Sequence, residues 1–186
     1  MQMSKPKILA IVGSLRKDSF NKQLALAAQA AIGDRCEFEI LEYADVPFFN
    51  EDYEYPAPES VVRVREKVKA ADGLWFFTPE YNHYFSGVMK NLLDWLSRPI
   101  SETERPVIVG KAAALSGTSL GTCGTAIAQD HLVTLISLFN VRVMNSPRLT
   151  IPNTLDQCDE NGKLVLTTSA PFLEKQANAF VKFLSK

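Results

Sequence analysis

Two histidines and three cysteines are all that 186 residues provide of the side chains that most often ligate transition metals. Cys36, Cys123 and Cys158 are widely spaced and form no CxxC pair, so they are expected to be reduced thiols in a cytoplasmic protein rather than a disulfide framework or zinc site. His131 has no second histidine or cysteine at ligand spacing and His83 stands alone beside a turn, so no metal site is expected. An excess of one charge is missing as well. Twenty basic and 21 acidic residues leave a net charge of −1, with no basic stripe for nucleic acid and no basic amphipathic helix for a membrane surface. No apolar run approaches the ~20 residues of a membrane span, and Ser4-Lys5-Pro6-Lys7 is too polar for a signal peptide. Gly13 stands without a GxGxxG pattern, no GK[ST] follows it, and the serines at 116 and 119 lack a GxSxG elbow. Glu80 has no carboxylate neighbour for paired acid–base work.

What is present is an alternation of strands and helices, read as a single domain over 1–186 that is large enough to bury a core without staples. Lys7 to Val12 is a strand, a polar loop follows, and a helix runs over about 20–32. Strands are also expected at 37–41, 74–78, 106–115 and 141–144, with amphipathic helices over 59–71, 86–97, 126–139 and 170–185. Residues 44–58 are irregular but aromatic, a packed loop rather than a linker. Five such strand–helix units predict an α/β fold, a five-stranded parallel sheet with helices on both faces. Ligands in such folds bind outside the carboxyl ends of the strands, where the loops 13–21, 78–82 and 116–125 all fall.

The first loop carries Ser14, Arg16, Ser19 and Asn21 where a helix presents its unpaired N–H groups. A helix cap needs one such residue rather than four, and the set reads as a phosphate site with Arg16 as its planar cationic partner. Lys17 and Asp18 are expected to face solvent. Thr78-Pro79-Glu80-Tyr81-Asn82 suits either a core turn or one whose backbone borders a planar ring. Asp94, Trp95 and Arg98 are expected to anchor the third helix. Binding groups abound, but no acid, base, nucleophile or metal ligand is identified; such a site leaves its chemistry to a cofactor.

The motifs GSLRKDSFN, TPEYN and GVMKNLLDWLSRP, in that order after successive strands, resemble the NAD(P)H-dependent FMN reductase family, in its quinone and chromate reductase branch. The resemblance runs from Lys7 to about Pro147 and implies a flavodoxin-like fold, non-covalent FMN and NADPH or NADH as co-substrate. It implies that Ser14, Arg16, Ser19, Phe20 and Asn21 line the phosphate and ribityl end. Pro79, Glu80, Tyr81 and Asn82 would border the isoalloxazine, with Ser119 and its neighbours in the loop 116–121 opposite. The implied acceptors are small molecules such as quinones, azo dyes, chromate or free flavin, served by ping-pong turnover through one open flavin face. The family usually places a proline before the glycine that opens the third helix; here Ser86 stands there, after the bulkier Tyr84-Phe85. A homodimer or homotetramer is also implied. Met89, Leu92, Leu93, Trp95 and Leu96, with Leu132, Leu135, Ile136 and Leu138, exceed what one buried stripe needs. A flavodoxin-like electron carrier without its own NAD(P)H oxidation, and a flavin-free regulatory protein, stay open as alternatives.

Overall fold

The computed structural model describes residues 5–185. Strands β1 (Lys7–Val12), β2 (Glu37–Ile40), β3 (Gly73–Phe77), β4 (Ala112–Thr118) and β5 (Arg142–Val143) form a parallel sheet in the order β2-β1-β3-β4-β5. A sixth strand, β6 (Leu149–Ile151), pairs with the far end of β4. Helices α1 (Phe20–Ile32) and α5 (Ala170–Leu184) cover one face, and α2 (Glu59–Ala70), α3 (Gly87–Leu96) and α4 (Ala126–Ser137) the other. The cause is the parity of the strands. Ile8, Ala10, Val12, Trp75 and Phe77 point toward α1 and α5, whereas Leu9, Ile11, Leu74 and Phe76 point toward the other three helices. With both faces covered, β3 and β4 are buried along their whole length.

Two expectations about strands are corrected. The segment 106–115 is not one strand: Val107 and Ile108 are buried in a turn, Gly110 reverses the chain at φ 72°, and β4 begins only at Ala112. An apolar run does not distinguish a buried turn from a strand. The expected strand at 141–144 shrinks to two residues in ladder geometry, and β6 was not foreseen. Pro147 lies between the two short pieces and has no N–H to give the ladder, so the edge is broken there.

The surplus apolar surface read into α3 is also absent. Met89, Leu92, Leu93, Trp95 and Leu96 are all at most 1% exposed within one chain. Met89 and the leucines lie in the core shared with the sheet, α2 and α4, and Trp95 meets the irregular segment 44–58 at Phe49 and Tyr53. Pro47 O accepts hydrogen bonds from Asn91 Nδ2 and Trp95 Nε1, both at 2.9 Å, and Asn91 Oδ1 accepts from the Phe49 N–H at 2.8 Å. Arg98 Nε donates to buried Glu54 at 3.0 Å.

Arg98 holds the Glu54 carboxyl below the ordinary glutamate range, its hydrogen bond outweighing the opposing effect of burial. The stabilisation from this pair is therefore complete above the unfolded-state value of about 4.3 and is lost as pH falls through the lower folded-state value. Glu54→Gln is expected to lower the thermal midpoint at neutral pH, with the difference from wild type shrinking toward about pH 3. A gap between the two that stays constant across that range would remove the Glu54 charge as its cause.

Candidate active-site cleft

From β1 the chain crosses to β2 on one side and later returns to β3 on the other, so the loops leaving β1 and β3 diverge at the carboxyl edge of the sheet. Such a switch point opens a crevice. The two loops start in contact: the Gly13 N–H donates to Phe77 O at 2.8 Å. A Cβ on Gly13 would stand 2.9 Å from Pro79 Cδ and 3.0 Å from Ser86 Oγ, so only glycine permits that approach. Beneath them the buried Tyr43 hydroxyl donates to Val12 O at 2.5 Å, and burial pushes its phenol above the ordinary tyrosine range.

Ser19 is the N-cap of α1, its Oγ accepting from the Lys22 N–H at 3.2 Å. Its hydroxyl hydrogen stays available to donate. The N–H groups of Phe20 and Asn21 have no hydrogen-bond partner among the described residues, as the first turn of a helix dictates. Ser14 is half-buried beside them, and Arg16 is exposed with its guanidinium 5.1 Å from the centre of the Phe20 ring. Lys17 and Asp18 face solvent. Asn21 also serves the fold: its Nδ2 donates to Thr118 O and its Oδ1 accepts from the Thr118 N–H, both at 3.0 Å. The pair ties the start of α1 to the end of β4 and leaves the second Nδ2 hydrogen and the Asn21 backbone N–H as the remaining donors of this residue.

After β3, Pro79 is buried and the chain turns back on itself at Asn82 and His83. Both have positive φ (52° and 61°), and Tyr81 and Tyr84 exchange N–H···O bonds at 2.9 and 3.0 Å. This is a two-residue hairpin of the kind that demands left-handed residues at both central positions. The Glu80 side chain turns away from the hairpin tip. Its Oε2 accepts from the Ala128 N–H at 2.9 Å, capping α4, whose own N-cap residue Thr125 makes no side-chain cap. Its Oε1 lies 3.5 Å from His83 Nδ1. Ser86 caps α3, accepting from the Met89 N–H at 3.4 Å. Trp95 and Arg98 anchor α3, through Pro47 at 2.9 Å and Glu54 at 3.0 Å, whereas Asp94 pairs with Lys90 at 2.7 Å within the helix itself.

The third wall is the loop after β4. Ser119 Oγ donates to Gly124 O at 2.5 Å and the Ser119 N–H to Ile151 O at 3.1 Å, which curls the loop over the cleft. The three walls enclose about 650 Å³, in the range of cofactor sites. Ser14, Arg16, Ser19, Phe20, Asn21, Pro79, Glu80, Tyr81, Asn82 and Ser119 all line it. Thr118 and Leu120, neighbours of Ser119 in the loop 116–121, line it as well, and so do His83, Thr122 and Cys123, which were not foreseen there; the Gly/Ser/Thr-rich composition of 116–125 marked the loop but not which of its side chains turn inward.

The chain matches the model of the family described as NADPH-dependent FMN reductase over residues 6–156. It is 39% identical over 168 residues to a 2-hydroxy-1,4-benzoquinone reductase from a Burkholderia species, covering 90% of each chain. It is 37% identical over 174 residues to an NAD(P)H-dependent FMN reductase of Pseudomonas aeruginosa, covering 93% of this chain and 92% of that one. Among solved structures, FerB of Paracoccus denitrificans, a flavoenzyme NAD(P)H:(acceptor) oxidoreductase, superposes with a TM-score of 0.86 at 34% identity over 97% of both chains. The family match spans the three loops that wall the cleft as well as the sheet beneath them, and the chain belongs to the NADPH-dependent FMN reductase family.

Proposed function

We propose that this protein is an FMN-dependent NAD(P)H oxidoreductase acting on quinones and similar small planar acceptors. The observation that carries this reading is the cleft at the β1/β3 switch point, with free N–H groups, a free hydroxyl and a free guanidinium at one end and a hairpin wall at the other. Those donors fit FMN. The start of α1 and Arg16 would neutralise the phosphate, and Ser14 and Ser19 would donate hydrogen bonds to its oxygens. Phe20 and the Asn21 backbone would border the ribityl end. Pro79, Tyr81 and Asn82 would wall one side of the isoalloxazine, and the Ser119 loop the other. Glu80 would act by fixing this hairpin to α4, and Asn21 by tying the start of α1 to β4.

FMN, when bound, supplies the hydride chemistry between a reduced nicotinamide and an acceptor. The protein holds the reactants in place and offers backbone donors where negative charge develops. No acid or base from the chain is required. One cleft serves donor and acceptor, so each must leave before the other enters, and initial rates are expected to follow a ping-pong pattern. The relatives named for quinone and FMN reduction support this choice of acceptor class. We place the protein in the cytoplasm as a single domain over 1–186. We assign it a homodimer or homotetramer whose contact includes the α4 end, where Leu138 is 79% exposed. Among the described residues no helix is long and apolar enough to cross a membrane.

The test is direct. Purified protein given FMN is expected to turn yellow, to bleach with NADPH alone under anaerobic conditions, and to give parallel double-reciprocal lines with a quinone. A protein that takes up no FMN overturns the reading. One that binds FMN but is reduced only through a separate reductase is an electron carrier instead.

A further inference from the structure

We propose that Asn153, which does not itself line the cleft, is a positioning residue for the flavin: its left-handed backbone holds the loop after β4 so that the N–H groups of Leu120 and Thr122 stay available to the anionic edge of the reduced ring. This rests on the reductase reading above and names the device that tunes the potential of that site. Asn153 has φ 46° and ψ 52°, a conformation open to glycine and asparagine and rare for most other residues. It stands between Pro152 and the short 3-10 turn Thr154–Gln157, and its side chain makes no cap. What the conformation achieves lies in the main chain. A left-handed residue followed by a helical one turns two successive N–H groups to the same side. Here the Asn153 N–H donates to Gly121 O and the Thr154 N–H to Ser119 O, both at 3.1 Å. The Ser119 N–H donates to Ile151 O, also at 3.1 Å, so the segment 151–154 grips the loop at three points.

This grip fixes peptide planes. A trans peptide carries its C=O and the following N–H on opposite sides. With the carbonyls of Ser119 and Gly121 drawn toward Asn153 and Thr154, the N–H groups of Leu120 and Thr122 are turned the other way. Neither has a hydrogen-bond partner among the described residues, and both residues line the cleft. The gripping segment is itself anchored. Thr154 is fully buried, its hydroxyl 2.6 Å from Thr118 Oγ1. Thr118 Oγ1 gives its one hydrogen to Ile151 O at 3.2 Å, so Thr154 is the donor of that pair. Gly124, at φ 61°, lets the loop lie against the same segment, since a Cβ there would stand 3.2 Å from Ile151 C and Pro152 N. Donors set in advance where negative charge arises favour the reduced cofactor over the oxidised one.

The test compares FMN-loaded wild type with Asn153→Gly and Asn153→Val, through the midpoint potential of the bound flavin against a reference dye under anaerobic conditions. Valine is β-branched and unsuited to positive φ, whereas glycine adopts it freely. Asn153→Val is expected to weaken the binding of reduced FMN about three- to tenfold more than that of oxidised FMN. For a two-electron couple, at about 30 mV per tenfold, the potential falls by roughly 15–30 mV. Asn153→Gly is expected to keep the wild-type potential. A role confined to folding would weaken both redox states of the cofactor alike and leave the potential in place. A second readout needs no turnover. In the ligand-free protein the Thr154 amide is expected to exchange with solvent slowly in wild type and Asn153→Gly, and about tenfold faster in Asn153→Val. The Leu120 and Thr122 amides are expected to exchange fast until FMN is added, and then to be protected. An unchanged potential in folded Asn153→Val, or an equal shift in Asn153→Gly, overturns the proposal. So do Leu120 and Thr122 amides that FMN leaves unprotected. Should Asn153→Val fail to fold, Asn153→Ala, a milder misfit at positive φ, gives the same comparison. A wild type that takes up no FMN overturns the reductase reading and this role with it, whereas FMN uptake with no difference among the variants overturns this role alone.

Discussion

Arg16→Ala is expected to weaken FMN binding about ten- to a hundredfold, the equivalent of roughly 1.5–3 kcal/mol for a charge-assisted contact to phosphate. The side chain is exposed and enters no ion pair or hydrogen bond among the described residues, its one neighbour of note being the Phe20 ring. Its charge is therefore available to a ligand, and its loss is expected to leave the stability of the ligand-free protein within about 0.5 kcal/mol of wild type. Fluorescence titration with FMN measures the effect, and riboflavin is the control. Riboflavin lacks the phosphate, so variant and wild type are expected to bind it alike. A variant equally impaired for riboflavin would place Arg16 against another part of the ligand.

Gly117→Ala is expected to destabilise the fold by about 3 kcal/mol and to lower the thermal midpoint by roughly 6–12 °C. Gly117 lies in β4 where that strand is flanked by β3 and by β6, and it pairs with Thr150. A Cβ there would fall inside contact distance of Thr78 O and Thr125 Oγ1, and 2.9 Å from Thr125 Cβ. Thr125 is fully buried and Thr78 O is main chain, so neither can swing away. Relief requires the ends of β3 and β4 to part, and those ends carry two of the three walls of the cleft. FMN affinity is therefore expected to fall together with stability. Adding Thr125→Ala removes the Oγ1 clash alone and is expected to restore part of the midpoint, while the Cβ contact and the carbonyl clash remain. An unchanged midpoint in Gly117→Ala would show that these strand ends are looser than their contacts indicate.

Periodicity and punctuation were enough to read the layered architecture and the positions of its polar loops. The period-two burial of Glu37–Ile40, the continuous apolar run of Ile8–Val12 and the apolar stripes of α1, α2, α3 and α5 depend on residues close in the chain. The limits of β4 did not follow in the same way. Val107 and Ile108 are as apolar as any strand residue, and only the approach of β3, register by register, selects Ala112–Thr118 for the ladder. The leucines of α3 were legible as apolar but not as to what covers them. They lie in the core shared with the sheet, α2 and α4, while a segment some 40 residues earlier is held against the helix by Asn91 and Trp95.

The same division runs through the cleft. The end proposed for phosphate was legible because it is local: a glycine, hydroxyls and a cation before a helix follow one another within Gly13–Asn21, and unpaired N–H groups at a helix start are a property of any helix. The amino-acid sequence by itself determined the order of strands and helices, the position of the three polar loops at the carboxyl edge, and the set of hydroxyls and cation in the first. Only the tertiary structure decided which polar side chains remain free for a ligand. Asn21 is tied to Thr118 across 97 residues and Glu80 to Ala128 across 48, whereas the side chains of Arg16 and Ser14 find no such partner among the described residues. The reason is energetic. A buried polar group must be hydrogen-bonded by whatever the fold brings within about 3 Å of it, and that neighbour is set by the crossing of the chain in space, not by residues nearby in the sequence.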